Sequence, residues 1–100
     1  MLKILLCCAG GMSTSLLVEH MKEAANEKGV ECKIWAVGEA SVKDQGEFDI
    51  LLLGPQIRYK LNSFKKEFGA TRPVEMINMR DYGQMNGKAV FEWALTLLNK

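Results

Sequence analysis

The most apolar run of the chain covers residues 48–53, with the sequence FDILLL, and it ends at Gly54-Pro55. A strand that has no polar face is buried on both sides, which is typical of the central strands of parallel sheets. Such sheets are covered by helices on both faces. We therefore expect an α/β protein with this run near the middle of its sheet.

Apolar runs alternate with helical patterns along the rest of the chain. Further strands are predicted over Leu2–Cys7, Val30–Val37 and Pro73–Ile77. Apolar residues recur at spacings of three and four over Ser13 to about Lys28, Ile57 to about Phe68, and Lys88–Leu98, which predicts helices there. Residues 38–46 are polar with room for one helical turn, and residues 83–87 are predicted as a loop. Right-handed crossovers then favour a four-stranded parallel sheet of order 2-1-3-4 with helices on both faces.

Size and charge narrow the class of protein. With 100 residues and 48% hydrophobic residues, the chain is expected to form a single domain, 1–100. Its formal net charge of +1 predicts no attraction to nucleic acid or to an anionic membrane surface. No stretch approaches the roughly 20 apolar residues that a membrane-spanning helix needs. The apolar N-terminus stops at Gly10-Gly11 and is predicted to be a strand, not a signal peptide.

The three cysteines are Cys7, Cys8 and Cys32. Their odd number and the adjacent pair do not fit a disulfide framework, so reduced thiols in the cytoplasm are expected. The chain has one histidine, His20, and no C-x-x-C motif, so no metal site is predicted. Cys32 is expected in the core, and His20 at the surface or core edge of the first helix.

The segment after the first strand has the parts of an anion-binding loop. Gly10 and Gly11 let the backbone turn its N–H groups inward, and the helix that follows directs its unpaired N–H groups and its positive dipole end to the same place. A cysteine at such a loop populates the nucleophilic thiolate, so Cys8 is the predicted catalytic residue. The predicted phosphate-binding loop comprises Ala9, Gly10, Gly11, Met12, Ser13, Thr14 and Ser15.

Other interpretations of this segment stay open. The glycines could merely begin a helix capped by Ser or Thr, with both cysteines in the core. A tyrosine phosphatase also uses a cysteine between strand and helix, but it needs an arginine six residues later, where this chain has Thr14 after Cys8. A Walker loop would need a lysine after the glycines. Residues 4–21 contain neither arginine nor lysine, which favours a phosphoryl carrier over a hydrolase.

Two motifs give the chain a family resemblance. The pattern C-x-x-G-M-S-T-S-L-L at Cys8–Leu17 and the pattern L-L-G-P-Q-I-x-Y at residues 52–59 resemble the enzyme IIB component of bacterial sugar phosphotransferase systems, lactose/cellobiose (diacetylchitobiose) class. Chain length, the order of elements and the late Pro73-Val74-Glu75 segment also fit. The resemblance implies a three-layer fold of the flavodoxin or low-molecular-weight phosphatase kind.

The resemblance also implies a relay. A phosphohistidine on a IIA protein would donate to Cys8, which would pass the phosphoryl group to a sugar of the cellobiose, chitobiose or lactose type held by the membrane permease IIC. No cofactor is implied, and the protein would work in the bacterial cytoplasm, meeting the membrane only through IIC. Only Cys8 has the family's spacing to Gly11, so Cys7 is predicted to be structural. Gln56 and Tyr59 are candidates for contact with the phosphoryl group or a partner.

Two other functions remain as alternatives. One is a phosphatase or arsenate reductase that uses the same strand–loop–helix, against which the missing arginine counts. The other is a regulatory or binding domain, since IIB-like modules also occur within larger proteins.

Overall fold

The computed structural model describes the backbone of residues 1–8 and 12–100 and the side chains of residues 1–8 and 15–100. Its strands are β1 (Leu2–Cys8), β2 (Cys32–Gly38), β3 (Ile50–Leu53) and β4 (Val74–Met76). The strands are all parallel and lie in the order β2-β1-β3-β4, so the predicted sheet is confirmed. The α-helices described are α1 (Met12–Lys28), α2 (Leu61–Phe68), α3 (Met79–Gly83) and α4 (Gly87–Leu97).

The second half of the chain departs from the predicted pattern in two places. The helix expected from Ile57 to about Phe68 is a 3₁₀ segment, Pro55–Lys60, followed by α2. The break lies at Ile57, which has φ −114° and ψ 29° and is fully buried, because the tight turn that starts at Gly54 carries this side chain into the core. The short helix α3 was not predicted. Residues 39–44 form a 3₁₀ helix, within the polar segment 38–46 where one helical turn was expected.

The two faces of the sheet carry separate cores. Alternate residues of a strand point to opposite faces, so Ile4 and Leu6 face α1 and α4, whereas Leu5 and Cys7 face α2 and the 3₁₀ segments. We call these the α1 face and the α2 face. The α1 face buries mainly Leu17, Met21, Ile34, Ile50, Leu52, Ile77, Val90 and Phe91, and the α2 face buries Val42, Phe48, Leu51, Leu53, Ile57 and Phe64.

Helices α1 and α4 pack closely on the α1 face. A Cβ added at Gly87 would overlap His20 and the backbone of Met21, so the first residue of α4 has no room for a side chain. His20 Nδ1 donates to the carbonyl oxygen of Met85, 2.7 Å away. Met85 has a positive φ of 52° just before α4. His20 therefore holds the turn into α4.

The amino and carboxyl edges of the sheet carry different parts of the chain. The chain ends lie at the amino edge, where Met1, Leu2 and Lys100 line one open cavity. The carboxyl edge carries Cys8 and the segments that follow β2, β3 and β4. Within the described part of the chain, no helix is long and apolar enough to cross a membrane.

Candidate active site

Cys8 is the last residue of the central strand β1, where it pairs with Gly38 of β2. Its side chain is 3% exposed. Helix α1 begins at Met12, so its N-terminal backbone follows Cys8 at the carboxyl edge, where open α/β sheets bind ligands. Ser15 is exposed in the first turn of α1.

Much of the predicted phosphate-binding loop lies outside the described residues. This applies to Ala9, Gly10 and Gly11 as a whole and to the side chains of Met12, Ser13 and Thr14. The loop therefore stays a prediction. The structure fixes the two elements that it joins, the end of β1 and the start of α1.

Cys7 is unsuited to be a nucleophile. Its thiol is fully buried on the α2 face, and this burial, with smaller contributions from Cys8 and Glu39 and an opposing one from Lys60, raises its pKa to about 12. The thiol is therefore neutral at physiological pH, and only thiolates attack efficiently.

Cys32 lies away from the site. It begins β2 opposite Leu2, at the amino edge, and burial raises the pKa of its thiol. Of the three cysteines, Cys8 is the one that ends β1 at the carboxyl edge.

The segment after β3 approaches Cys8 through Gly54. The N–H of Gly54 donates to the carbonyl oxygen of Cys7 at 2.8 Å, which extends the strand pairing to the edge. A Cβ built on Gly54 would lie 3.5 Å from Cys8 Cβ and 2.9 Å from Gln56 Oε1. The carboxamide of Gln56 therefore folds back beside Gly54 and Cys8, in space that a side chain at position 54 would occupy.

Tyr59 takes a different direction. Its side chain is 68% exposed, and its hydroxyl donates to Glu39 Oε2 at 3.2 Å, beyond the end of β2. Desolvation, followed by the charge and the hydrogen bond of Glu39 and a smaller effect of Cys7, raises the pKa of Tyr59. The structure thus brings Gln56 to Cys8 but pairs the hydroxyl of Tyr59 with Glu39.

A third residue, Tyr82, reaches the same point and was missed by the sequence analysis. Its ring is 6% exposed, and its Cε1 atom lies 3.4 Å from the position that a Cβ of Gly54 would take. Tyr82 belongs to α3, which follows β4. The signal that could have found it is its place shortly after a parallel strand, because all such strands end at one edge.

A groove borders this point on its outer side. It encloses about 300 Å³ and combines apolar side chains with one arginine. The residues that line it are Pro55, Gln56, Arg58, Met79, Tyr82 and Gly83.

No metal centre is formed by the described side chains: none of them group as three or more His, Cys, Asp or Glu in a metal-binding arrangement. The described residues bring to this edge the thiol of Cys8, the carboxamide of Gln56 and the ring of Tyr82.

Comparison with known proteins identifies the family of the chain. Residues 3–92 match the family model "PTS system, Lactose/Cellobiose specific IIB subunit". An oligo-beta-mannoside-specific EIIB component of Bacillus subtilis is 46% identical over 100 residues, covering 98% of this chain and 97% of that protein. A galactose-specific EIIB component of Lactococcus lactis is 42% identical over 103 residues, covering 96% and 95% of the two chains.

Two solved structures share the fold. The solution structure of a cellobiose-specific IIB component from Borrelia burgdorferi superposes with a TM-score of 0.80 at 36% identity, covering 98% of this chain and 92% of that one. The lactose-specific IIB domain from Streptococcus pneumoniae gives a TM-score of 0.83 at 21% identity, covering 96% of both chains, and so supports the fold alone. The family match, the relatives and the fold agree: this chain belongs to the lactose/cellobiose-specific IIB subunits of the sugar phosphotransferase system and is a phosphotransferase component of sugar uptake.

Proposed function

We propose that Cys8 carries the phosphoryl group in this relay. The observation that supports it most directly is its position at the end of the inner strand β1, four residues before α1 begins at Met12. The N–H groups of loop 9–15 and the positive end of the α1 dipole would balance the charge of a phosphoryl group on Cys8. The neutral, buried thiol of Cys7 supports the same assignment by removing its neighbour as a competitor.

The donor in this proposal is a phosphohistidine of a IIA protein. The sulfur of Cys8 attacks phosphorus, the S–P bond forms as the N–P bond breaks, and the imidazole nitrogen keeps the electron pair. The proton that leaves the thiol ends on that nitrogen. In the second step a sugar hydroxyl bound by IIC attacks phosphorus, the S–P bond breaks, and the hydroxyl proton ends on the sulfur. Such in-line transfers depend mainly on positioning and on stabilising charge at the phosphoryl oxygens.

Gln56 is the second group that we assign to the site. Its carboxamide oxygen lies beside Gly54, and a half-turn of the amide would present its N–H₂ as a donor to a phosphoryl oxygen on Cys8. Tyr59, which is exposed and bonded to Glu39, is better placed to contact a partner protein than the phosphoryl group.

The sugar that receives the group is of the cellobiose, chitobiose or lactose type in this proposal. The names of the relatives, which are specific for oligo-beta-mannoside, galactose and cellobiose, widen the range to test. IIC holds this sugar, so the protein works at the cytoplasmic side of the membrane.

Mass mapping after phosphorylation tests the carrier. The chain is incubated with phosphoenolpyruvate, the general phosphotransferase proteins and a IIA protein, and the adduct is located. We expect an acid-labile gain of about 80 Da on Cys8, as for other covalent nucleophile intermediates. The gain should vanish in Cys8→Ser and persist in the matched variant Cys7→Ser. An adduct that survives in Cys8→Ser would exclude the assignment.

The wild-type and Cys8→Ser samples also show whether the protein acts as a phosphoryl carrier or as a phosphatase. A carrier should turn over p-nitrophenyl phosphate no faster than the Cys8→Ser variant does. Rapid hydrolysis that depends on Cys8 would favour the phosphatase alternative.

A further inference from the structure

The space beside Gly54 is where three segments of the chain meet. A Cβ at Gly54 would be 3.5 Å from Cys8 Cβ, 3.4 Å from Tyr82 Cε1 and 2.9 Å from Gln56 Oε1. Residue 82 is far from residue 8 in sequence, yet both side chains border this one point. Because position 54 is glycine, this space has no side chain of residue 54 and admits the carboxamide of Gln56.

Tyr82 borders that space with one edge of its ring. In tyrosine, Cε1 is bonded directly to Cζ, the carbon that carries the hydroxyl. Cε1 is the Tyr82 atom that comes nearest to Gly54, so the ring edge next to the hydroxyl-bearing carbon borders the same space as Cys8 Cβ. A phenol is a neutral donor and acceptor, so it can bond to an anion without a local cation.

The backbone of α3 fixes this placement. The N–H of Tyr82 donates to the carbonyl of Asn78 at 3.1 Å, and its own carbonyl accepts from Met85 at 3.1 Å. Asn78 also caps α3 by accepting from the N–H of Asp81 at 2.8 Å. With its ring buried and its backbone bonded on both sides, Tyr82 needs little reorganisation to act on a group at Cys8.

Tyr82 also has one side towards the surface. It lines the groove of about 300 Å³ together with Gln56 and Arg58. The side chain of Tyr82 therefore lies between the space beside Cys8 and a groove from which a donor or acceptor group can approach.

We propose that the hydroxyl of Tyr82 donates a hydrogen bond to the phosphoryl group while that group is carried on Cys8, and that Tyr82 is thus a further catalytic residue. This inference rests on the proposed function of Cys8. It adds a side-chain donor to the proposed site. A hydrogen bond to a charged group that strengthens as charge develops contributes roughly a ten- to hundredfold factor in rate.

The test uses the full chain with Tyr82→Phe, which keeps the ring and removes only the hydroxyl. Single-turnover transfer from a phosphorylated IIA protein is followed by rapid quench. We expect the rate constant to fall roughly ten- to hundredfold while the half-saturating IIA concentration stays within about twofold. The ³¹P resonance of the phosphocysteine should also shift, since its environment loses a donor. A transfer rate within twofold of the wild type with an unmoved resonance would overturn the inference.

Two controls keep the result unambiguous. Thr96→Val removes another hydroxyl, which is bonded to the Glu92 carbonyl on α4, and should change neither rate nor resonance. Cys8→Ser run in parallel separates the two proposals. If that variant loses the adduct while Tyr82→Phe transfers normally, only the role of Tyr82 fails, whereas an adduct that survives in Cys8→Ser removes the carrier assignment itself.

Discussion

Cys7 and Cys8 are neighbours in sequence, but their side chains lie on opposite faces of β1. Cys7 packs with Leu5 and Ile57 on the α2 face, whereas Cys8 lies beside Gly54 on the side of Tyr82. The alternation of a strand thus gives two adjacent thiols different environments. One is buried in a core, and the other ends its strand at the carboxyl edge of the sheet, where open α/β sheets bind ligands.

The buried thiol of Cys7 should make stability depend on pH at alkaline values. Its pKa is raised from 9.0 to about 12 in the folded protein, so the unfolded chain loses this proton first as pH rises. The stabilisation that comes from burying the neutral Cys7 thiol is fully present below about pH 9. It is lost as the pH rises towards 12. Urea unfolding at a series of pH values should therefore show the wild type losing stability relative to Cys7→Ala above pH 9. A difference that stays constant with pH would contradict this expectation.

Gly87→Ala should destabilise the protein through the contact of α4 with α1. The added methyl group would overlap His20 and the backbone of Met21, and such overpacking costs about 1–3 kcal/mol. Gly83→Ala is the matched control, because a Cβ there meets nothing within 4 Å and φ is not positive. Chemical denaturation should show a clear loss for the first variant and a change of about 0.5 kcal/mol or less for the second. If the two variants change the free energy of unfolding equally, α1 and α4 can move apart to admit the methyl group at no cost in stability.

Gly54→Ala should slow phosphoryl transfer mainly by displacing Gln56. The new methyl group would lie 2.9 Å from Gln56 Oε1, at the mobile end of a side chain that can move away, so the fold should persist. Gln56→Ala should slow transfer to a similar degree. The double variant should then be little slower than the slower single variant, because both changes remove the same group.

The same set of variants can refute this mechanism. Effects of Gly54→Ala and Gln56→Ala that multiply in the double variant would show that the two positions act independently. Thermal unfolding of each variant checks that the changes in rate are not changes in folding.

Glu39→Gln should lower the pKa of Tyr59. Desolvation is the first cause of the raised value and would remain, but the charge of Glu39 and its bond to the hydroxyl would be lost or weakened. Titration of the tyrosinate absorbance in a Tyr82→Phe background isolates Tyr59. An unchanged titration would show that the bond to Glu39 does not persist in solution.

The sequence predicted the sheet well because its strands and helices have clear apolar patterns. The run at residues 48–53 and the periodic segments around it led to the order 2-1-3-4 without reference to any contact. The pattern failed where tertiary contacts decide local structure. Burial of Ile57 breaks the helix expected there, and α3 has only five residues and no apolar period, so its cap at Asn78 and the burial of Tyr82 sustain it.

The site was predictable to a similar extent. Cys8 and its loop are contiguous, and Gln56 lies in a recognisable motif after a neighbouring strand, so local sequence identifies them as candidates. Tyr82 is not linked to Cys8 by any local pattern. Their proximity arises because β4 pairs with β3, and the chain then returns over the carboxyl edge through α3.

Met1 and Lys100 lie together at the amino edge, separated from Cys8 by the length of β1, about 20 Å for seven residues. A tether fixed to either end would therefore leave the carboxyl edge, which carries Cys8, facing away from the support. One immobilised sample could be offered first to a phosphorylated donor and then to an acceptor, with no change of attachment between the two.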